Sequence, residues 1–415
     1  MKNNNTKPFS KTTIPSDWEE MKLGKIAKVT SGGTPSREKK TFWEGNIPWI
    51  TTSLIDFNEI DIAEEYITEE GLENSSTKLF PIGTLLMALY GQGVTRGKTA
   101  MLNIEATTNQ ACAAIILDEN IVDNRYVFQY LIHKYESIRN LSNTGNQENL
   151  NGEIVKSIKL NIPPLPEQRA IAKALSLMDT AINKNNQLIA QKELRKKWLM
   201  QNLLTGKKRL KGFIGEWKEM KLGKLFTEIK SVNDGADGHS IMTISSKRGL
   251  ISQEDKFDRV IAGDSLKKYT QLKRDDFAYN KGNSKTYPMG CIYKLEEFES
   301  ALVPFVYICF TPTNLVDSKF YKQWFLAYGL DRQLKKIITS GARGDGLLNV
   351  NKSDFFNLKT IYPPKEEQIA IAQVLQAADK EIELLKTKTE KLREQKKGMM
   401  QVLLTGKKRL KLDIN

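Results

Sequence analysis

The sequence contains little cysteine and little histidine: three cysteines and two histidines in 415 residues. Cys112, Cys291 and Cys309 stand far apart, and no CxxC or similar metal spacing connects them with the histidines. This scatter disfavours both a disulfide framework and a cysteine–histidine zinc site. We therefore expect no metal site in this chain.

Other signatures are also missing. No apolar run approaches the roughly 18 residues that a membrane-spanning helix requires. The polar stretch 1–13 lacks the apolar core of a signal peptide, so we expect a disordered leader and a cytoplasmic location. The sequence has no GxGxxG after a strand, no GxxxxGK(S/T) loop and no PD-(D/E)xK pattern. We expect this chain to hold no cofactor and to be non-catalytic on its own.

Positive charge is in excess, with 63 Lys and Arg against 49 Asp and Glu and a formal net charge of +14. Such an excess is typical of proteins that bind a polyanion, for example nucleic acid or an anionic surface. Charge alone leaves a generally basic protein as an equal alternative, so the choice depends on motifs.

The chain repeats itself at long range. PPLPEQRAIA at 163–172 recurs as PPKEEQIAIA 200 residues later, and LLTGKKRLK at 203–211 recurs unchanged at the same offset. MKLGK at 21–25 recurs 199 residues later. A repeat this long indicates a duplicated domain with its connector rather than a solenoid. The predicted segments are a leader at 1–13, domains at 14–162 and 210–362, and long helices at 163–209 and 363–411.

The helix assignment depends on the residues at each end. Paired prolines stop the preceding strand, and the acidic or amide residues after them suit a helix N-terminus. Gly206 and Gly406 are typical of helix ends, and the Lys-Lys-Arg run after each would either complement the helix dipole or bind phosphate.

Apolar residues repeat with heptad spacing in both helices, which favours a coiled coil over two helices packed separately on their own domains. Asn185, Lys192, Lys196 and Thr389 interrupt the seam and would either fix its register or contact another chain. The predicted seam residues are Ile171, Leu175, Met178, Ile182, Ile371, Leu375, Ile382, Leu385 and Leu392.

The domains themselves have a mixed pattern, with short β-rich pieces and stretches of helical period. The strands are expected at 84–90, 111–117, 276–279 and 301–308, and helices at 125–141 and 319–338. The sequence therefore predicts an α+β fold. Two domains of mixed sheet and helices would be joined and spaced by two long antiparallel helices, with pseudo-two-fold symmetry.

Several loops combine glycine with basic, amide, hydroxyl or aromatic residues. Arg and Lys can contact phosphates or guanine edges, Gln and Asn can contact adenine edges, and glycine permits close approach. Any one loop could equally be an ordinary surface turn. The candidate DNA-binding residues are Ser31, Thr34, Arg37, Tyr90, Gln92, Arg96, Lys98, Asn146, Lys247, Arg248, Lys281, Asn283, Lys285, Tyr287 and Arg343.

Taken together, the motifs resemble those of DNA-specificity subunits of type I restriction-modification systems, over essentially the whole length. The resemblance is carried by WEEMKLG at 18–24, SGGTP at 31–35, WEGNIPW at 43–49 and TNQAC at 108–112, besides the repeated helix-end motifs. The second domain lacks the SGGTP and IPW stretches and has KGNS at 281–284 instead. Unlike domains would read unlike half-sites.

The resemblance implies a role in host defence. Each domain would read half of a bipartite site in double-stranded DNA, and the helices would set the spacing of the halves. Two methylation subunits would modify adenines with S-adenosylmethionine, and restriction subunits would use ATP and magnesium to translocate and cleave DNA. This chain would supply specificity and a scaffold.

Three alternatives remain open from the sequence. The chain could serve another bipartite system, in which methylase and nuclease are fused. It could be a methyltransferase or nuclease with an unrecognised site. It could be a coiled-coil spacer that binds no DNA, although two differing basic domains argue against that.

Overall fold

The computed structural model describes residues 14–91, 94–141, 149–233, 235, 239–245, 248–259, 263–282, 287–327, 329–338 and 348–411. The chain forms two compact units, one of residues 1–186 with 387–415 and one of residues 187–386. Each unit thus combines one copy of the repeated domain with part of both long helices.

The first unit has a five-stranded, a three-stranded and a two-stranded sheet, in the orders β2-β9-β6-β7-β4, β5-β3-β8 and β1-β10. The chain then enters the long helix α6 (Leu165–Leu203). The preceding elements are β1 (Glu19–Lys22), α1 (Leu23–Ile26), β2 (Ala27–Ser31), β3 (Trp43–Ile50), β4 (Glu59–Ile60), β5 (Glu65–Ile67), α2 (Glu69–Glu73), β6 (Leu85–Ala88), β7 (Thr99–Leu102), β8 (Thr107–Thr108), β9 (Cys112–Leu117), α3 (Asn124–His133), α4 (Tyr135–Asn140), α5 (Gly152–Ser157) and β10 (Lys159–Ile162).

The second unit has two four-stranded sheets, β12-β19-β16-β17 and β14-β13-β18-β15, and the pair β11-β20. Its elements are β11 (Lys218–Lys221), α7 (Leu222–Leu225), β12 (Phe226–Glu228), β13 (Ser240–Ser245), β14 (Gly249–Ser252), α8 (Gln253–Phe257), β15 (Thr270–Lys273), β16 (Phe277–Asn280), β17 (Cys291–Lys294), β18 (Ser300–Val303), β19 (Ile308–Pro312), α9 (Ser318–Leu326), α10 (Asp331–Ile337), α11 (Lys352–Asn357), β20 (Lys359–Tyr362) and the long helix α12 (Lys365–Leu403).

The continuous apolar sequence of β6 follows from burial on both faces of the sheet. Leu85 and Met87 belong to the core that also holds Met400 and Leu403 of α12. Leu86 and Ala88 belong to a separate core on the opposite face. In the second unit the end of α6 enters the main core in the corresponding way.

Two sequence predictions were wrong in detail. The strand expected at 301–308 is two strands, β18 and β19, because Pro304 begins a turn in which its carbonyl accepts from the amide of Tyr307 (3.0 Å). The two expected single helices are each two helices, α3 with α4 and α9 with α10. Amphipathic period alone did not reveal these short breaks.

The long helices pack on each other and run antiparallel. In the second unit Lys192 pairs with Glu381 and Lys196 with Asp379, each at 2.5 Å. The residue numbers of the partners therefore increase along α6 and decrease along α12, as in antiparallel helices. None of the nine predicted seam residues is exposed, and Ile171, which also joins the core of the first unit, is 1% exposed.

Polar residues in the seam form ion pairs between the helices. In the first unit the ammonium of Lys396 lies 2.6 Å from the carboxylate of Asp179, which also accepts from the amide of Gln129 on α3 (2.7 Å). In the second unit Asp379 likewise accepts from Gln323 on α9 (2.9 Å). Each aspartate thus binds both a lysine of the other long helix and a glutamine of its own domain.

The first turn of α6 contains a buried carboxylate with three donors. Glu167, 1% exposed, accepts from the indole N–H of Trp18 (3.1 Å) and from Nε and Nη2 of Arg409 (2.9 and 2.5 Å). Glu167 therefore joins the start of the first domain, the start of α6 and the segment that follows α12.

The second unit repeats this contact. Glu367, fully buried, accepts from Trp217 (2.8 Å) and from Nε and Nη2 of Arg209 (2.5 and 2.6 Å). The sequence suggested that the Lys-Lys-Arg runs either complement the helix dipole or bind phosphate. Neither interpretation identified the buried glutamates that Arg209 and Arg409 bind.

The glutamine of the repeated EQ motif attaches each helix to its domain. Gln168 accepts from the amide of Asp123 (2.8 Å) and donates to the carbonyls of Ile121 and Pro163. Gln368 makes the equivalent contacts in the second unit. The motif thus consists of two buried side chains with separate partners.

Candidate nucleic-acid interface

Strand register brings several candidate residues to one edge of the five-stranded sheet. Ala113 of β9 pairs with Ser31 of β2 on one side and with Met87 of β6 on the other. Met87 in turn pairs with Thr99 of β7. Segments that follow β2 and β6 and precede β7 and β9 therefore meet at one place, which we name the first sheet edge: residues 31–37, 89–91, 94–98 and 109–111.

Six of the candidate DNA-binding residues lie at this edge. Ser31, Arg37 and Tyr90 are exposed, whereas Thr34, Arg96 and Lys98 are half-buried. Two further candidates in the first domain, Gln92 and Asn146, lie outside the described residues.

The SGGTP stretch is bound tightly to TNQAC. The amide of Gly33 donates to the carbonyl of Thr108 (2.8 Å), and the hydroxyl of Thr34 donates to Oε1 of Gln110 (2.5 Å). A Cβ on Gly32 would lie 1.9 Å from the Thr108 carbonyl oxygen, so only glycine fits there. The two sequence motifs therefore form one structure.

The WEGNIPW stretch holds the same loop from another side. Trp49 donates its indole N–H to the carbonyl of Gly33, and Trp43 donates to the carbonyl of Ser36, each at 3.0 Å. The two rings meet edge to face at 5.0 Å. These contacts fix the backbone that presents Ser31, Thr34 and Arg37.

Arg37 has partners within the protein. Its guanidinium donates two hydrogen bonds to Glu65 (2.6 and 2.9 Å) and lies 3.7 Å from the ring centre of Trp43. The hydrogen bonds from Arg37 lower the pKa of the Glu65 carboxyl. Because its side chain is still 53% exposed, Arg37 can both position the loop and contact a ligand.

Lys98 is also paired, with the carboxylate of Asp56 at 2.5 Å, and its side chain is only 17% exposed. The neighbouring Phe57 packs edge to face on Tyr135 of α4, whose hydroxyl donates to the carbonyl of Val94. These contacts fix the β6–β7 connection to a helix of the same unit.

The second unit has a comparable connection between β16 and β17. In the first unit the amide of Leu150 donates to the carbonyl of Leu89 after β6 (3.1 Å), and in the second Leu348 donates to Lys281 after β16 (2.8 Å). Lys281 and Tyr287 are both half-buried in this connection. The β16–β17 connection therefore occupies the same place in its unit as the β6–β7 connection does in the first unit, but it carries different side chains.

Arg248 lies elsewhere, on the turn between β13 and β14, and donates to the carbonyl of Asp255 (3.1 Å). It is exposed, and it lines a cavity of about 380 Å³ together with Tyr287 and Tyr293. The remaining candidates of the second domain lie outside the described residues: Lys247, Asn283, Lys285 and Arg343.

Sequence reasoning did not select Gln110, although it is exposed at the first sheet edge and receives the Thr34 hydrogen bond. Its signal was its place in the TNQAC stretch, which carries no charge. The choice of candidates favoured glycine loops with basic residues and so passed over an amide beside a strand.

Metal or thiol chemistry finds no support in the described part of the chain. No group of three or more His, Cys, Asp or Glu residues there is arranged to hold a metal ion. Burial raises the pKa of the thiols of Cys112 and Cys309 to about 12 and that of Cys291 to about 11. Within the same residues, no helix is long and apolar enough to cross a membrane.

Two relatives show how far the similarity extends along the chain. The specificity subunit of the type I restriction enzyme MjaIX from Methanocaldococcus jannaschii is 26% identical over 85% of this chain and 84% of the relative. The specificity subunit of EcoR124I/EcoR124II from Escherichia coli is 33% identical over 42% of this chain and 44% of the relative.

Solved structures show the same fold. The S subunit of a type I restriction-modification system from M. genitalium superimposes with a TM-score of 0.56 at 15% identity, covering 97% of this chain and 98% of that one. A chain from a structural study of complex assembly in the type I restriction-modification system superimposes with a TM-score of 0.57 at 13% identity. The match covers 95% of this chain and 99% of that one.

The family model for the type I restriction modification DNA specificity domain matches residues 15–193 and 306–394, well over half of the chain. The first stretch contains the whole first sheet edge and the segments that hold it. This chain therefore belongs to the family of type I restriction-modification DNA-specificity subunits, which recognise the DNA target and are not themselves catalytic.

Proposed function

We propose that this chain reads an asymmetric, bipartite DNA sequence, one half with each unit. The observation that carries the proposal is that two equivalent strand connections have unlike sequences. The β6–β7 connection contains YGQGVTRGK at 90–98, and the β16–β17 connection contains KGNSKTYPMG at 281–290. Different donors and acceptors at equivalent sites would select different base pairs.

The first sheet edge supports base reading because its backbone is held in place before DNA arrives. Thr34 and Gln110 bond to each other, and Trp49 holds the loop that carries Thr34. Fixed polar groups lose little freedom on binding, which favours discrimination between bases. The net charge of +14 would supply sequence-independent attraction to phosphates.

The helix pair would act as a ruler and as a scaffold. Each long helix has 39 residues, about 58 Å of axial length. Two methylation subunits with S-adenosylmethionine would dock on the chain and methylate adenines, and restriction subunits with ATP and magnesium would join them. Adenine methylation requires the base to leave the stack, and the methylation subunit would supply the pocket.

The experiment is single-molecule sequencing of DNA from cells that express this chain with the methylation subunit of its own system. Methylated adenines within one asymmetric bipartite motif are the expected result. If both subunits are soluble and associated but no motif is methylated, the proposal fails. Co-purification with a single fused methylase–nuclease would instead favour the alternative bipartite system.

A further inference from the structure

The duplicated chain has two equivalent positions just before a central strand, and only one of them carries a side chain. Gly83 precedes β6, and its amide donates to the carbonyl of Leu102 (2.8 Å). Asp275 precedes β16, and its amide donates in the same way to Leu295 (2.9 Å). Both residues have a positive φ, 86° for the glycine and 75° for the aspartate. The first unit therefore lacks a side chain where the second unit has a carboxylate.

In the second unit that carboxylate has partners within the protein. Asp275 accepts from the ammonium of Lys294 (2.7 Å) and from the hydroxyl of Ser318 (2.8 Å). The counterpart of Ser318 is Asn124, because each is the first residue of its helix, α9 or α3, after an aspartate cap. The first unit has no carboxylate at this place and instead contains a cavity of about 300 Å³ beside Gly83 and Asn124.

The amide of Asn124 gives this cavity a buried acceptor. Its Nδ2 donates to Oε1 of Glu119 (2.9 Å), and this contact fixes the orientation of the amide because a carboxylate can only accept. Oδ1 is buried and accepts no hydrogen bond from any described residue. Leaving such an acceptor unpaired costs free energy, which favours a ligand with an N–H or O–H donor. Leu102 and Val122, both fully buried, supply apolar walls.

Positive charge lies where the cavity opens along α6. Arg169 lines it, and with Lys173 it also lines an adjoining cavity of about 310 Å³. Both side chains are exposed, and within the described part of the chain neither forms an ion pair. Arg125 lines both cavities too, but it already pairs with Glu59 at 2.5 Å. An anion that extends beyond the apolar walls would therefore meet Arg169 and Lys173.

Two carboxylates also line the first cavity, and each already has a donor. Glu119 accepts from Asn124, and Asp123 accepts from the amide of Tyr126 at the start of α3 (3.0 Å). Of these two acids, only Asp123 lines the adjoining cavity, where it faces three cationic residues. The adjoining cavity is therefore the place for an anionic group, and the first cavity is the place for an apolar group with a donor.

We propose that the two cavities bind one nucleotide, with an adenine base in the first and its phosphates at Arg169 and Lys173. The exocyclic amino group of adenine would donate to Oδ1 of Asn124, and the ring would lie against the apolar walls. Guanidinium and ammonium groups are common partners of phosphate in proteins. This site goes beyond the proposed function and does not depend on it, because Gly83 precedes β6 whereas residues 89–91 of the first sheet edge follow that strand.

Other occupants satisfy only part of the site. Water would supply a donor to Asn124 but would leave Arg169 and Lys173 without an anion. Inorganic phosphate would bind the cations but would leave the apolar walls and the buried acceptor without a partner. An adenine nucleotide has the donor, the flat apolar ring and the anion in one molecule. The same chemistry occurs in a free nucleotide and in an unpaired adenosine of single-stranded DNA, so the experiment must distinguish these two sources.

The test is isothermal titration calorimetry of the full chain with ATP. One ATP should bind per chain, because Asp275 fills the equivalent place in the second unit, and added salt should weaken binding. ITP, which has a carbonyl oxygen in place of the amino group, should bind about tenfold or more weakly. Competition with ATP by a short single-stranded oligodeoxyadenylate would identify nucleic acid as a source of the ligand. Failure to compete would identify the free nucleotide.

The second unit supplies the design of a blocking variant. Gly83→Asp with Asn124→Ser copies its residues, and Asp275 shows that an aspartate is accepted at this φ. The double change should abolish ATP binding. The surface variant Arg169→Gln with Lys173→Gln, which leaves the buried residues intact, should weaken binding about tenfold or more.

The matched control is Arg332→Gln, which removes an exposed arginine from the second unit and should leave binding unchanged. Thermal unfolding without ligand checks that each variant is folded. The proposal would be overturned if no saturable binding occurs at about 1 mM ATP, if two ATP molecules bind per chain, or if ITP binds as tightly as ATP. Unchanged binding by the folded blocking variant or by the surface variant would equally refute it.

Discussion

Arg409, beyond the end of α12, binds Glu167 in the first turn of α6 through two hydrogen bonds of 2.9 and 2.5 Å. The same guanidinium donates to both carboxylate oxygens of Asp17 at 2.8 Å. A planar guanidinium can bridge two carboxylates in this way, whereas a lysine ammonium presents a single centre. The contact ties both termini of the described chain to the start of a long helix.

Replacing Glu167 should therefore destabilise the first unit. Glu167→Gln keeps the size of the side chain but leaves Arg409 facing an uncharged amide. We expect a loss of about 1–3 kcal/mol in the free energy of unfolding, because the Glu167 side chain is buried although that of Arg409 is 43% exposed. Chemical denaturation followed by hydrogen exchange in residues 14–162 would measure it. Glu390→Gln, at an exposed pair with Arg393, is the control and should cost less than about 0.5 kcal/mol.

Reversal of a seam ion pair should show that polar seam residues set the register. Asp179→Lys alone would place two lysines together, and Lys396→Asp alone two aspartates. Each single change should lower the unfolding free energy by about 1–2 kcal/mol, and the double change should recover much of it. The amide of Gln129 can turn to accept from a lysine at 179. If the losses of unfolding free energy from the two single changes simply added in the double variant, the ion pair would have no role in setting the register.

The seam cycle has an exposed counterpart as its control. Glu193 and Lys386 also join α6 and α12, at 2.6 Å, but both side chains are at least half exposed. The corresponding reversal should show coupling of less than about 0.5 kcal/mol, since water screens the pair. Equal coupling energies for Asp179–Lys396 and Glu193–Lys386 would mean that burial does not determine how strongly an ion pair couples the two helices.

The long helices could be predicted because their signals are local. Paired prolines, heptad spacing and terminal glycines all act within a few residues, and the structure has helices close to where these signals placed them. The α+β class followed from similar short patterns. Breaks such as the one after His133 were missed because both pieces share one amphipathic period.

The partners of charged residues could not be predicted because they are distant in sequence. Arg409 and Glu167 are separated by 242 residues, and nothing near Arg409 identifies its partner. Arg37 was chosen as a DNA contact from its loop, yet its hydrogen bonds go to Glu65, 28 residues away. Composition shows that basic residues are present but not which of them are already paired.

The change Trp49→Phe should show whether Trp49 contributes to DNA binding by positioning the first sheet edge or by contacting phosphates. The change keeps an aromatic ring but removes the N–H that donates to Gly33. We expect about 1 kcal/mol lower stability and about tenfold weaker binding to the target sequence. The salt dependence of binding should not change, because no phosphate contact is lost. A smaller salt slope would show that Trp49 acts through phosphate contacts instead.

Gly33→Ala should be more damaging than its size suggests. The added Cβ would lie 2.3 Å from Oγ of Ser76 and 2.7 Å from its carbonyl carbon, so backbone must move. Binding to the target half-site of the first unit should fall about tenfold or more. Gly152→Ala is the matched control, because a Cβ there meets nothing within 4 Å. Equal affinity of the two variants would exclude a tight fit at Gly33.

His133 should make the first unit sensitive to mild acid. Burial, with a smaller effect of the nearby charge of Lys134, lowers the pKa of His133 from its ordinary value of 6.5. Below pH 6.5 the unfolded chain therefore binds more protons at this residue than the folded chain does, so the free energy of unfolding falls as pH decreases towards the folded pKa. Well above pH 6.5 the imidazole is neutral in both states and its contribution is constant. His133→Gln should remove this slope between pH 6.5 and the folded pKa, measured by urea unfolding at a series of pH values. An unchanged slope in the variant would contradict this role of His133, because Glu65, whose pKa is also lowered, begins to lose its contribution only near its ordinary pKa of 4.5.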